Sequence, residues 1–224
     1  MAATATTVVP LILTLALAQA QAPTAPSQPV APAPREIAPD TYLLAGEMLP
    51  ERGPDGNTVV VVAPAGLIVI DTGRHAWHSD GILAFARSQQ RPVVAIVNTH
   101  WHLDHSSGNR RVKAAHPSAK IYTTAAVDRA LAPGGFLARN LAAARKQPPD
   151  PKASATRREE TDLFIATMDA SDTLRPDVTV TESDRLDLAG RSLSVRVSTD
   201  AVTDADLWLY DEATRVAVIG DLVT

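Results

Sequence analysis

The stretch that decides the reading is Pro92-Val93-Val94-Ala95-Ile96-Val97-Asn98-Thr99-His100-Trp101-His102-Leu103-Asp104-His105-Ser106-Ser107-Gly108-Asn109. Pro92 opens a β-branched run, Val93 to Val97, that fits a buried strand. The run ends directly in a cluster of ionisable side chains. In an extended segment, side chains two apart point the same way. His100 and His102 can therefore converge on one ion, Asp104 can follow them, and His105 can enter from the turn. Gly108 permits a sharp bend, and Asn109 is placed to cap the next helix. Imidazole nitrogens with a carboxylate suit Zn²⁺, at about 2.0–2.2 Å.

Outward from this cluster, the chain reads as strands, then helices, then strands. Thr41 to Ala45 is short and apolar. Thr58 to Val62 and Leu67 to Ile70 flank Ala63-Pro64-Ala65-Gly66, which predicts a hairpin of buried strands. Asp71-Thr72-Gly73 ends the second of these. Ile82, Leu83 and Phe85-Ala86 give a helical face within Ser79 to Gln89. His75 and His78 precede or begin it and read as a solvent-exposed loop, the alternative being a place at the site mouth.

Beyond the cluster, Asn109 to Ala115 reads as a short helix stopped by Pro117, with His116 at its end as a cap or surface residue. Ile121 to Thr123 is a strand. Ala125 to Lys146 is helical apart from Pro133-Gly134-Gly135. Gln147 to Glu160, with its prolines and charges, predicts a mobile surface loop, and Thr161 to Ala170 a further helix. Arg185 to Leu188, Ser192 to Val197, Leu207 to Tyr210 and Arg215 to Ile219 complete the strands. Leu193, Val195 and Val197 alternate with polar residues, so one face is buried. Trp101 and Trp208 read as packing residues, Trp101 pointing away from the ligands.

The bulk properties narrow the function. The chain has 224 residues, enough for one sizeable core, and a net charge of -4, which gives no reason to expect a nucleic acid or an anionic membrane as partner. There is no cysteine. Disulfides, thiolate nucleophiles and Cys-ligated metals are excluded, so a tight metal site must use His and carboxylates. Ser106 and Ser107 have no Gly-x-Ser-x-Gly context, and no Gly-rich phosphate loop or dinucleotide fingerprint is present. At the N-terminus, Val8 to Ala20 is apolar but too short to span a bilayer. With Ala18-Gln19-Ala20 it predicts a signal peptide over 1–20, despite the lack of a Lys or Arg before it. A Pro/Ala-rich linker over 21–36 would follow, with the folded domain at 37–224 in a periplasmic or secreted protein.

The His cluster resembles the metallo-β-lactamase superfamily, whose signature is His-x-His-x-Asp-His after a strand. Asp71-Thr72-Gly73 is similar to the family's Asp-Thr-Gly loop, and Gly220-Asp221-Leu222-Val223 to its Gly-Asp segment. The resemblance runs from about Ile37 to Thr224. It implies an α+β fold, the four-layer αββα sandwich, with the second half incomplete. It also implies that His100 and His102 bind a first metal, that Asp104 and His105 bind a second, and that Asp221 lies between. The function implied is a zinc-dependent hydrolase with one or two ions. A metal-activated water, its pKa lowered to about 7, would attack a β-lactam, ester or thioester carbonyl of a small-molecule substrate, with Asp104 as catalytic residue orienting the nucleophile or taking its proton.

The sequence departs from that pattern in two places. In the segment resembling Ala-His-Thr-x-Gly-Asp, here Ala201-Val202-Thr203-Asp204-Ala205-Asp206, Val202 stands at the His position and Ala205 at the Gly. The family's last His has no counterpart before Thr224, which predicts a partial sequence. Asp200 is a substitute oxygen ligand if its loop shifts. These departures keep two alternatives open: a non-catalytic member of the fold, or an iron-dependent oxygenase or redox enzyme built on it.

Overall fold

The computed structural model describes residues 29–147 and 150–223. The expected signal peptide and the start of the linker lie outside the described residues. No helix among the described residues is long and apolar enough to cross a membrane.

Two sheets form the centre. The larger has seven strands in chain order: β1 (Arg35–Ala38), β2 (Thr41–Leu44), β3 (Thr58–Ala63), β4 (Gly66–Ile70), β5 (Val93–Val97), β6 (Lys120–Thr123) and β7 (Val178–Thr179). β1 to β4 run antiparallel, whereas β4 to β7 are parallel neighbours. The smaller sheet, β8 (Asp184–Leu188), β9 (Arg191–Ser198), β10 (Asp206–Asp211) and β11 (Val216–Val218), is antiparallel throughout. The expected hairpins therefore form, with the β3–β4 turn reduced to Pro64 and Ala65 because Ala63 pairs with Gly66.

β4 and β5 are apolar almost without interruption because both of their faces are covered. Ile68, Ile70, Ala95 and Val97 face the smaller sheet and meet Leu193, Val195, Leu207 and Leu209. Leu67, Val69 and Ile96 face the other way, against Ile82 and Phe85 of α1 (Ala76–Gln89) and Val112 of α3 (Asn109–Ala115). A third cluster joins Leu103 of α2 (Leu103–Ser106) to α4 (Ala126–Leu131), α5 (Phe136–Lys146) and α6 (Ala155–Asp169) through Val127, Leu137 and Met168. None of these clusters sets a helix on the outer face of the smaller sheet, so the described residues form the α, β and β layers of the expected sandwich.

Several expectations are corrected. α1 begins at Ala76, three residues earlier than its periodicity suggested, and His75 and His78 are 2% and 1% exposed. His78 packs beneath Gly73 and shares a 2.8 Å hydrogen bond with Thr58 Oγ1, so it is neither exposed nor at a site mouth. The charged stretch before Glu160 is not all loop: Ser154 caps α6 by accepting from Arg157 N, and the helix runs from Ala155. The strand near Arg215 is confined to Val216–Val218. The first strand, β1, begins at Arg35.

Gly108 does not supply a bend, for it is right-handed helical at φ -68°. It is small because the chain closes tightly there. A Cβ would lie 2.2 Å from the Thr72 carbonyl oxygen. Asn109 does not cap the helix either. Its side chain accepts from Thr72 Oγ1 and donates to Asn98 Oδ1 and the Thr173 carbonyl. Gly108→Ala is therefore expected to cost about 1–3 kcal/mol by overpacking, read as a lower urea midpoint. An unchanged midpoint would show that the Asp71–Gly73 loop is not held against Gly108.

Candidate metal centre

The site forms where the parallel strands end. β4 stops at Ile70, and Asp71 takes a left-handed backbone at φ 60°, a conformation that costs a non-glycine residue energy and clusters at functional sites. That turn points the Asp71 carboxylate across the end of β5. One oxygen accepts from Thr99 N at 2.8 Å, and the other from Thr99 Oγ1 and His105 Nδ1, each at 2.8 Å. The backbone of the same loop grips the motif. Thr72 N donates to the His105 carbonyl at 2.8 Å, and Gly108 N to the Gly73 carbonyl at 3.0 Å.

These contacts fix the imidazoles. The Thr99 hydroxyl has one proton and gives it to Asp71, so toward His100 Nδ1, 3.0 Å away, it accepts. That leaves the Nε2 lone pair of His100 bare, and this buried nitrogen has no hydrogen-bond partner among the described residues. His105 donates through Nδ1 to Asp71, so its Nε2 also points into the site, 3.4 Å from Asp104 and 3.3 Å from Asp221. Carboxylates oriented behind ligating histidines are the usual outer support of a metal site.

The motif is not the extended segment its spacing suggested: β5 ends at Val97, and Thr99 to Trp101 form a bend. His102 is the N-cap of α2, and Asp104 and His105 lie on that helical turn. Trp101 packs between His102, edge-on at 4.7 Å, and Phe136 at 5.6 Å. Asp221 arrives from beyond β11. Gly220 has φ +54°, and a Cβ there would lie 2.7 Å from Thr99 Oγ1, so only glycine lets this segment close on the motif. Two sets result, His100 with His102 and Asp221, and Asp104 with His105 and Asp221. Within each set one ligand atom per residue lies within 4.8 Å of the others. Asp200 joins neither set among the described residues. Val202 is 40% exposed and supplies no donor.

An orphaned buried nitrogen, convergent carboxylates and an all N/O donor set fit a divalent ion such as zinc. Asp71 and Thr99 are the site residues that motif spacing alone did not disclose. The available signal was an Asp-Thr-Gly turn at the end of a buried strand. Asp71→Asn is expected to weaken zinc binding about 10–100-fold in competition with a chromophoric chelator; unchanged affinity would remove Asp71 from the account.

Without metal, burial and then the charges of His105 and His102 hold His100 down at about 3, below its ordinary 6.5. His105 moves oppositely. Burial alone lowers it, but Asp71 and Asp104 outweigh that and raise it to about 11. As pH falls from 6.5 toward 3, the unfolded chain protonates at His100 while the folded chain resists, so stability is lost. The His105 contribution is complete below 6.5 and is lost as pH rises toward 11. The metal-free protein should therefore show its highest urea midpoint at about pH 6–7. A midpoint still rising at alkaline pH would contradict this arrangement.

The comparisons agree with the geometry. The metallo-beta-lactamase superfamily model matches residues 52–224. A linear primary-alkylsulfatase from Pseudomonas sp. (strain ATCC 19151) is 44% identical over 50 residues, which is 22% of this chain and 10% of that protein. Among solved structures, the sec-alkylsulfatase Pisa1 from Pseudomonas sp. superposes with a TM-score of 0.54 at 18% identity, over 81% of this chain and 30% of that one. A metallo-beta-lactamase from Hirschia baltica gives 0.53 at 11% identity, over 84% of this chain and 69% of that one. At these identities the structural likenesses speak for the fold alone. The chain spans less than a third of the length of either sulfatase. Because the family model extends over most of the sequence, the chain belongs to the metallo-beta-lactamase superfamily.

Proposed function

We propose that the chain is a zinc-dependent hydrolase of esters that carry an apolar chain, a carboxylic ester, thioester or sulfate ester. Its family and its alkylsulfatase relative support metal-dependent hydrolysis in general. The observation that carries the narrower reading is the cavity beside the metal ligands. It holds about 590 Å³, with Asp104, His105 and Asp221 in its wall and Ile37, Leu43, Met48, Val216, Val218 and Ile219 around them. Its lining among the described residues includes no Lys or Arg. A substrate there meets apolar surface along its chain, and a ligand-bearing polar end at the scissile bond. The relative named a linear primary-alkylsulfatase points the same way.

His100, His102 and Asp221 would hold one ion, and Asp104, His105 and Asp221 a second. Zinc bound there supplies a Lewis acid and a water of low pKa. The chain's own contribution is orientation and proton transfer. Thr99 and Asp71 fix the ring directions of His100 and His105. Burial alone would raise the Asp104 carboxyl, but the His105 hydrogen bond and charge outweigh that, and it stays below the ordinary carboxylate value. Asp104 is thus ionised at neutral pH and able to take the proton of an attacking water.

Val202 favours a second reading, a member of the fold that has lost its chemistry, because it removes one donor from the first ligand set. Metal analysis, including iron, and turnover separate the two. Zinc-loaded protein should hydrolyse 4-nitrophenyl octanoate or an alkyl sulfate, faster than the acetate or methyl analogue, and chelator should abolish the rate. Nitrocefin turnover without ester turnover would redirect the substrate assignment to β-lactams. No turnover of any of these would leave the non-catalytic reading. Val202→His should tighten zinc binding, and unchanged affinity would place Val202 away from the ion.

A further inference from the structure

A second cluster of charges adjoins the metal pocket, which Asp55 helps to line, and none of its residues belongs to either ligand set. His75, at the start of α1, is buried, with Asp55 Oδ2 2.8 Å from Nδ1 and Glu160 Oε1 2.8 Å from Nε2. A carboxylate oxygen thus stands at hydrogen-bond distance from each ring nitrogen. Asp55 Oδ1 also accepts from Arg74 N at 2.6 Å and His75 N at 2.9 Å. His75 provides no side-chain cap for α1, and Asp55 holds the two amides just ahead of the helix, those of Arg74 and His75. Glu160, on α6, accepts from Gly53 N at 3.0 Å, Arg74 Nε at 3.1 Å and Arg52 Nη1 at 3.4 Å. Burial raises both carboxyls, but these hydrogen bonds and charges outweigh it and hold each below its ordinary value.

The segment so fastened is Gly46–Asn57, the irregular connection between β2 and β3. It lies directly on the metal centre. Gly56 N donates to the Asp104 carbonyl at 2.9 Å. A Cβ on Gly56 would lie 2.7 Å from His105 Cε1 and 2.8 Å from its Nε2, so the backbone rests on the imidazole ring. Glu47, Met48, Pro54 and Asn57 of the same segment line the substrate cavity. Asp55, the residue the clamp holds, is adjacent to Gly56. Buried charge clusters are a poor source of net stability, since desolvation offsets much of their attraction. Here the cluster fixes the place of one segment.

We propose that Glu160 and His75 are positioning residues for the metal centre, holding Gly46–Asn57 against His105 and thereby fixing the Asp104–His105–Asp221 ligand set and one wall of the cavity. The inference rests on the metal-centre reading. It makes α6 a support of the site, although no described residue of α6 belongs to either metal set.

The test compares wild type, Glu160→Gln, His75→Gln and a surface control on the smaller sheet, Asp187→Asn. All are studied at a temperature where circular dichroism shows each to be folded, and Glu160→Gln keeps size and acceptor capacity should His75→Gln fail to fold. Amide exchange by mass spectrometry over Gly46–Asn57 should be about tenfold faster in the clamp variants than in the control. Co²⁺ titration followed by visible absorption should show about tenfold weaker binding and an altered d–d band, with Glu160→Asp restoring part of both. A merely structural role would lower stability without changing the spectrum of the folded protein. Co²⁺ bound identically by wild type and clamp variants overturns the positioning role alone. A wild type that takes up no Co²⁺ overturns the metal-centre reading as well.

Discussion

The structure depends on one carboxylate, that of Asp71. Its left-handed backbone turns the side chain out of β4 and over the end of β5, where it receives the Thr99 amide, the Thr99 hydroxyl and the His105 ring. Those bonds set the direction of both buried imidazoles, one directly and the other through a single hydroxyl. Because β4 and β5 are packed on both faces, the strand ends that carry Asp71 and Thr99 are rigid. The strain in one residue is thus offset by a core that over-determines its position. Ligand side chains oriented in this way tighten a metal site.

From this point the rest of the site is assembled by close approach. Gly108, Gly220 and Gly56 are each placed where a Cβ would collide with the loop or ring opposite. They bring the Asp71 loop, the Asp221 segment and the Gly46–Asn57 connection onto the same few residues. The metal-free cluster is electrostatically poised, with a neutral His100 beside a protonated His105 between carboxylates. A divalent cation would take over the role of that proton, joining the same donors with more charge.

Much of this is legible in the sequence because it is local. The β-branched runs at Val59–Val62 and Val93–Val97, the alternation of Leu193 with Val195, and the turn at Pro64-Ala65 each follow from side-chain period and turn chemistry. The spacing from His100 to His105 is enough by itself to bring four candidate ligands together. What sequence does not reveal is long-range. His75 and His78 look exposed because a helix start after a Gly turn is polar on average. Their burial depends on Asp55, Thr58 and Glu160, which are distant in the chain. Glu160 looks like loop because its neighbours are charged, and only the fold shows those charges meeting Arg52 and Arg74. Gly108 and Asn109 suggest a bend and a cap, yet both serve the packing of the Asp71 loop against the motif.

The central claim is that His100, His102, Asp104, His105 and Asp221 converge on a divalent cation. Isothermal titration of chelator-treated wild type with Zn²⁺, alongside His100→Ala, tests it most directly. The account predicts saturable uptake of one or two ions by wild type, and loss of at least one of those binding events in the variant. Absence of saturable uptake, or an isotherm that His100→Ala leaves unchanged, would contradict it.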